Sequence, residues 1–288
     1  MRRSNASVAL LPLAWLMISA PSAQDSSLTL LRRAASNYKA AETFWVEGDI
    51  KADARAGPRQ QSTTATFKVA YGGDKRVHDE LDHPQAGVVK VSDGKQTWVY
   101  VLASHEYAHQ DQAEDVDLAH PRPGTGMLGV LSSALRGLAE DVDSIRTQPD
   151  ETIPFGGADR RCAVIEVRYK PGGVAGVAPD AWRTYWVDRE RELVLQHRTV
   201  SRVAGPNGES LEQNETFRYT RIALNQPIDP KLFTFTPPAD ARQVEQFGGR
   251  PVPEDLSGKV ADDFTLLDLK GKKHSLKSLR GKVVMLDF

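Results

Sequence analysis

The chain has 288 residues, 40% hydrophobic and 26% charged, with 22 Gly and 17 Pro. Such a composition builds an ordinary core, so wholesale disorder is excluded, and the length suits one large domain or two smaller ones. With 37 basic against 38 acidic residues the formal charge is -1, and nothing in that balance points to nucleic acid, which demands a basic surface.

Arg2 and Arg3 precede a short apolar run at 8–20, and the small residues Ala20, Ser22 and Ala23 stand ahead of polar Gln24 and Asp25. The run is shorter than the ~20 apolar residues that span a bilayer. Residues 1–23 therefore read as a secretory signal peptide cleaved after Ser22 or Ala23, with a short membrane anchor as the weaker reading. No Cys lies near the cleavage site, so lipoprotein processing is not expected. The expected location is exported, in the periplasm or cell envelope. Loss of Arg2 and Arg3 takes the formal charge from -1 to -3.

Residues 28–41 place Leu28, Leu31, Ala35 and Tyr38 at helical spacing, with Asp25 and Ser26 as candidate caps. At 44–52 the period changes to two. Phe44, Val46, Gly48, Ile50 and Ala52 share one face, and Glu47, Asp49 and Lys51 the other. Phe67, Val69 and Tyr71 repeat that pattern, and Gly72-Gly73-Asp74 ends it. Runs at 88–91 and 97–102 flank Asp93-Gly94, a strong hairpin signal because these residues tolerate positive φ.

His105-Glu106-Tyr107-Ala108-His109 matches the H-E-x-x-H pattern, which on a helix turns two imidazoles to one zinc ion with Glu as general base. Here it follows a β-like run. Gln112 and Asp115 stand where the extended zinc pattern has Gly and a third His, and nothing selects His120, Glu114 or Glu140 as third ligand. A zinc peptidase acting through His105, Glu106 and His109 is kept as an unfavoured alternative, and no metal ligand is assigned.

Residues 127–138 form an amphipathic helix with Leu128, Leu131, Leu135 and Leu138 on its apolar face. Strands follow at 163–169, 183–188, 193–203 and 209–223, the last pair joined by Gly205-Pro206-Asn207-Gly208. The single cysteine, Cys162, opens an apolar strand as a small hydrophobe and has no partner for an intrachain disulfide. There is no P-loop, Gly172-Gly173 and Gly176 lack dinucleotide-binding spacing, and Asn214-Glu215-Thr216 is a glycosylation match inside a strand. Prolines at 227, 230, 237 and 238 make 225–238 a closing loop and edge segment. Residues 241–257 read as a linker.

The order helix, strand pairs, Asp93-Gly94 hairpin leading to Trp98 and Tyr100, the strand Tyr185-Trp186-Val187-Asp188, and the terminus Leu232-Phe233-Thr234-Phe235-Thr236-Pro237-Pro238 resembles the LolA-like family over roughly residues 26–240. The resemblance implies a mainly β (α+β) fold, a curved antiparallel half-barrel sheet with plugging helices. It also implies an apolar ligand or lipid acyl chain in the concave side.

Residues 258–288 resemble the start of TlpA-like and peroxiredoxin-like redoxin domains. The matching residues are Gly258-Lys259, Ala261, Asp263-Phe264, Leu269, Gly271-Lys272, Ser275-Leu276 and Gly281-Lys282-Val283-Val284. In that family the strand matching 283–288 leads to a redox cysteine at a helix start, where the helix N-terminus favours thiolate. The sequence stops at Phe288, before that position, so no catalytic residue and no cofactor is carried over.

The expected organisation is 1–23 signal peptide, 24–240 half-barrel, 241–257 linker and 258–288 truncated thioredoxin-fold start. The expected function is a fragment of an exported thiol–disulfide oxidoreductase or thiol peroxidase, the full-length form having a redox partner protein. The alternative is a non-catalytic envelope lipid-binding module. The strand at 283–288, built to pair on both edges, is expected to be disordered or aggregation-prone without its partners.

Overall fold

A computed structural model describes residues 23–113, 126–171, 181–204, 210–247, 260, 263–267 and 270–282. The expected signal run at 8–20, the 205–208 turn and the 283–288 strand lie outside the described residues. The chain divides into two compact units, one ending at Phe247 and the other beginning at Gly248.

The first unit opens with α1 (Ala23–Lys39), followed by β1 (Phe44–Ala56), β2 (Arg59–Tyr71), β3 (Arg76–Asp82), β4 (Val88–Asp93), β5 (Thr97–Val101) and β6 (Glu106–Gln110). Helix α2 (Gly126–Arg136) precedes β7 (Val142–Phe155), β8 (Ala158–Tyr169), β9 (Trp182–Asp188), β10 (Val194–Ala204), β11 (Ser210–Leu224) and the two-residue β12 (Arg242–Gln243). All twelve strands form one curved open sheet in the order β12-β6-β5-β4-β3-β2-β1-β11-β10-β9-β8-β7. Two meanders, β1 to β6 and β7 to β11, meet where β1 pairs antiparallel with β11. Among the described strands only β12 runs parallel to its neighbour, β6. The chain must pass from one edge of the sheet at β6 to the other at β7, and α2 lies on that path.

Alternation decides which face is buried. In β1, Phe44, Val46 and Ile50 turn inward and are buried, while Asp49 and Lys51 face water. The inner face is covered by α1, through Leu30, Leu31, Ala34, Ala35 and Tyr38, and by α2, through Met127, Leu128, Leu131 and Leu135. Each buried Leu or Val contributes about 1.5–3 kcal/mol relative to exposure. The plugged half-barrel is thus mainly β with two helices, as the sequence reads.

Several boundaries differ from the sequence reading. Helix α1 is described from Ala23, so Asp25 and Ser26 lie within its first turn rather than before it. Four strands go unread in the sequence: β3, β6, β7 and the two-residue β12. In β3 a carboxylate, Asp79, takes an inward position between Val77 and Leu81. In β7, Pro149 and Pro154 mask the pattern, yet β7 is an edge strand with a bulge between Gln148 and Glu151, where proline is tolerated. β6 is the H-E-x-x-H segment itself. The first sheet also runs past residue 240, because Arg242 and Gln243 pair with Glu106 and Tyr107.

In the second unit, β13 (Thr265–Leu267) and β14 (Lys273–Ser275) form a hairpin about Gly271, whose φ of 78° favours glycine. A 3-10 turn over Leu276–Leu279 follows. The Asp263 carboxylate accepts hydrogen bonds from Ser275 Oγ at 3.0 Å and the Lys277 amide at 2.7 Å. Phe264, Leu266 and Leu267 are exposed, the last two by 58% and 64%.

Candidate functional site

Strand register places the inner face in rows. Tyr185 of β9 lies opposite His197 of β10, which lies opposite Phe217 of β11, then Ile50 of β1 and Ala65 of β2. His197 is buried, stacked on Phe217 at 4.6 Å between ring centres, with Nδ1 2.9 Å from the Tyr219 hydroxyl. Burial, and then the nearby Arg183 guanidinium, holds its imidazole well below the usual histidine range. Arg183 is buried one row further along β9 and donates from Nε to Thr199 Oγ at 3.0 Å.

Polar side chains from the sheet hold both ends of α2. At its N-terminus, Asp79 accepts from the Met127 and Leu128 amides at 3.2 and 3.0 Å. These are donors that no helical carbonyl can satisfy, and a carboxylate there also complements the helix dipole. Gly126, at φ 70°, is required beside it, because a Cβ there would stand 2.5 Å from Asp79 Oδ2. Burial raises the Asp79 carboxyl above the usual range, against the Leu128 amide and Lys90, which favour its charged form. Towards the C-terminus, the Tyr169 hydroxyl donates to Leu138 O at 3.0 Å and accepts at 2.7 Å from the Tyr185 hydroxyl, which also lies 3.3 Å from Ala134 O.

Between these anchors the helix is flanked by two cavities. One, of about 20 Å³, lies between α1, α2 and β1 and is lined by Tyr38, Phe44, Val46, Leu131 and Ser132. The other, of about 590 Å³, lies between the first turns of α2 and strands β3 to β5. Its walls are Leu81, Val88 and Val99 from the sheet and Met127 and Val130 from the helix, with Asp79 and Lys90 as its polar groups. Val130 is 43% exposed despite its aliphatic side chain. An aliphatic concavity of this size with a few placed polar groups has the character of a small-molecule site. The arrangement is suited to holding an apolar group.

The H-E-x-x-H segment is built differently from a zinc site. It lies in a turn and β6, so residues four apart are separated by about 13 Å along the strand instead of one helical turn. Glu106 pairs with Arg242, and His105 Nδ1 lies 2.7 Å from Asp240. His109 stacks on Trp98 at 5.3 Å. Among the described residues no three His, Cys, Asp or Glu side chains converge on a metal position. Cys162 is buried, and burial, with Asp188, Asp150 and Glu151 nearby, pushes its thiol up to about 12.

Of the pocket residues, the sequence places Val88, Lys90, Val99, Met127 and Val130 in elements of the right type but marks none as part of a site. Asp79, Tyr169 and the Tyr185 hydroxyl went unmarked. The only signal for Asp79 is a carboxylate at an inward position of an alternating run.

The class defined by these observations is an open half-barrel plugged by two helices. No protein-family model and no curated protein matches the chain. Among solved structures it is similar to LolA superfamily protein NE2245 from Nitrosomonas europaea, at 14% identity and TM-score 0.30, covering 74% of this chain and 99% of that one. It is also similar to LprF from Mycobacterium bovis, at 10% identity and TM-score 0.43, covering 75% and 98%. A third is the Pseudomonas aeruginosa MucA/MucB complex, at 15% identity and TM-score 0.38, covering 87% and 74%. No helix among the described residues is long and apolar enough to cross a membrane.

Proposed function

We propose that the first unit is a non-catalytic binding module of the cell envelope that holds an apolar ligand, such as a lipid acyl chain, against the inner face of the sheet beside α2. The observation that carries this reading is the 590 Å³ pocket, whose helix and sheet walls are both aliphatic. Burying one methylene of a ligand there contributes about 0.8 kcal/mol. The reading includes export by way of residues 1–23 and assigns no catalytic residue, cofactor or metal ligand. Organic extraction of the purified protein followed by mass spectrometry tests it. Acyl lipid is expected from the native chain and little from Val99→Arg, which puts a cation in the pocket wall. A lipid-free extract from both overturns the reading.

A second reading concerns the other unit. We propose that residues 258–288 open a thioredoxin-fold redoxin domain, so that the complete protein carries out thiol–disulfide exchange or thiol peroxidation with a redox partner protein. The support is the hairpin at the expected Gly271 turn, closed by Asp263, whose Leu266 and Leu267 need cover from a further layer. Cys162, with its thiol pushed up to about 12, is not suited to be the nucleophile. Reading the coding region beyond the Phe288 codon tests this. A Cys-x-x-Cys or a lone Cys at a following helix start is expected, and an immediate stop codon contradicts it.

A further inference from the structure

Residues 229–247 form a strap across the outer face of β3 to β6, opposite the helices. Phe233 is buried against Gly72, where a Cβ would stand 2.7 Å from its ring, and under the Arg76 guanidinium at 5.4 Å. Phe235 packs among Trp98, Tyr100 and Tyr107. Further along, the Arg242 and Val244 amides each donate at 2.8 Å, to His105 O and Tyr107 O, so the strap also covers the outer edge of β6. An uncovered edge beside an aromatic face is a liability for edge-to-edge association.

One residue holds the start of this strap through groups that do not suit its neutral form. His78 of β3 places Nδ1 3.0 Å from Leu232 O and Nε2 2.8 Å from Glu80 Oε2. Both neighbours only accept hydrogen bonds. A neutral imidazole has one N–H and one lone pair, so it can serve one of them and turns a lone pair on the other. The imidazolium donates to both.

We propose that His78 is a proton-operated clasp: its protonated ring ties the strap to β3 through Leu232, and loss of the proton loosens the strap from the outer face. The charged groups around His78 are Glu80 on its own strand, Lys68 on β2 (3.4 Å from Glu80), Arg76 and Asp93 towards the Gly72 end, and Lys231 on the 3-10 turn, with Asp79 behind the strand. Glu80 is held below the usual carboxylate range chiefly by its hydrogen bond from His78, so it remains an acceptor. The consequence is acid-strengthened cover of the β6 edge and the Trp98 face.

Amide hydrogen exchange on the full chain, corrected for intrinsic rates, tests the clasp at pH 5.0 and 8.0. In the native protein the Leu232 and Thr234 amides, bonded within the 3-10 turn, are expected to be about tenfold or more better protected at pH 5.0, the worth of one charge-assisted hydrogen bond. The Val69 amide in the sheet centre is expected to be unaffected. In Glu80→Gln the carboxamide can donate to Nε2, so a neutral ring keeps its Leu232 bond and the pH difference should vanish with the strap still closed. In His78→Asn the difference should vanish with the strap loose at both pH values. Equal protection at both pH values in the native chain overturns the proposal. So does a difference that survives in Glu80→Gln, which would assign it to another pair such as His105 and Asp240. A parallel change at Val69 would also overturn it, by showing global unfolding instead.

Discussion

Burial of His197 has a consequence in the pH dependence of stability. Its folded-state pKa lies below that of the unfolded chain, near 6.5. As pH falls through that value the unfolded state takes up a proton that the folded state refuses, so stability present above about pH 6.5 is lost on acidification. Urea unfolding midpoints are expected to fall between pH 7.5 and 5, and the slope to flatten in His197→Phe. An unchanged slope in that variant would remove the assignment. Cys162 makes a second residue-level prediction. Buried, and with its thiol pushed up to about 12, it should react with a disulfide reagent at neutral pH only on the timescale of unfolding, and rapid modification of the native chain contradicts its placement.

At the scale of elements, α2 is held by side chains from three different strands. Asp79→Ala removes acceptors from two amides and should cost about 1–2 kcal/mol, within the range for lost N-terminal caps. Tyr185→Phe should cost about 1 kcal/mol, since Tyr169 keeps its own bond to Leu138. Thermal or denaturant unfolding monitored by circular dichroism measures both. Most elements were legible in the sequence because their signals are local: alternation in β1, the Asp93-Gly94 turn and the leucine face of α2. The strands that escaped are those where tertiary roles override the pattern. Proline in β7 is allowed because no described strand pairs with its outer edge, and Asp79 interrupts the apolar face of β3 because a helix N-terminus sits above it. His105 and His109 fit a helical motif by spacing alone, but β6 separates them along an extended backbone.

At the largest scale, the curved sheet of the first unit, plugged by two helices, follows from twelve described strands whose inner faces must be covered, and the alternation of most of them is written in the sequence. The pocket is not, because Leu81, Val88, Val99, Met127 and Val130 come from four elements whose juxtaposition depends on where α2 crosses the sheet. Its apolar walls are the basis for reading this chain as a binding module. The most direct test is a fluorescence titration with 11-(dansylamino)undecanoic acid, comparing the native chain with Val99→Arg. Saturable binding at micromolar concentration, with a blue-shifted dansyl emission and at least about tenfold weaker uptake by the variant, is the expected result. Absence of saturable binding, or equal binding by a folded Val99→Arg chain, would contradict the account.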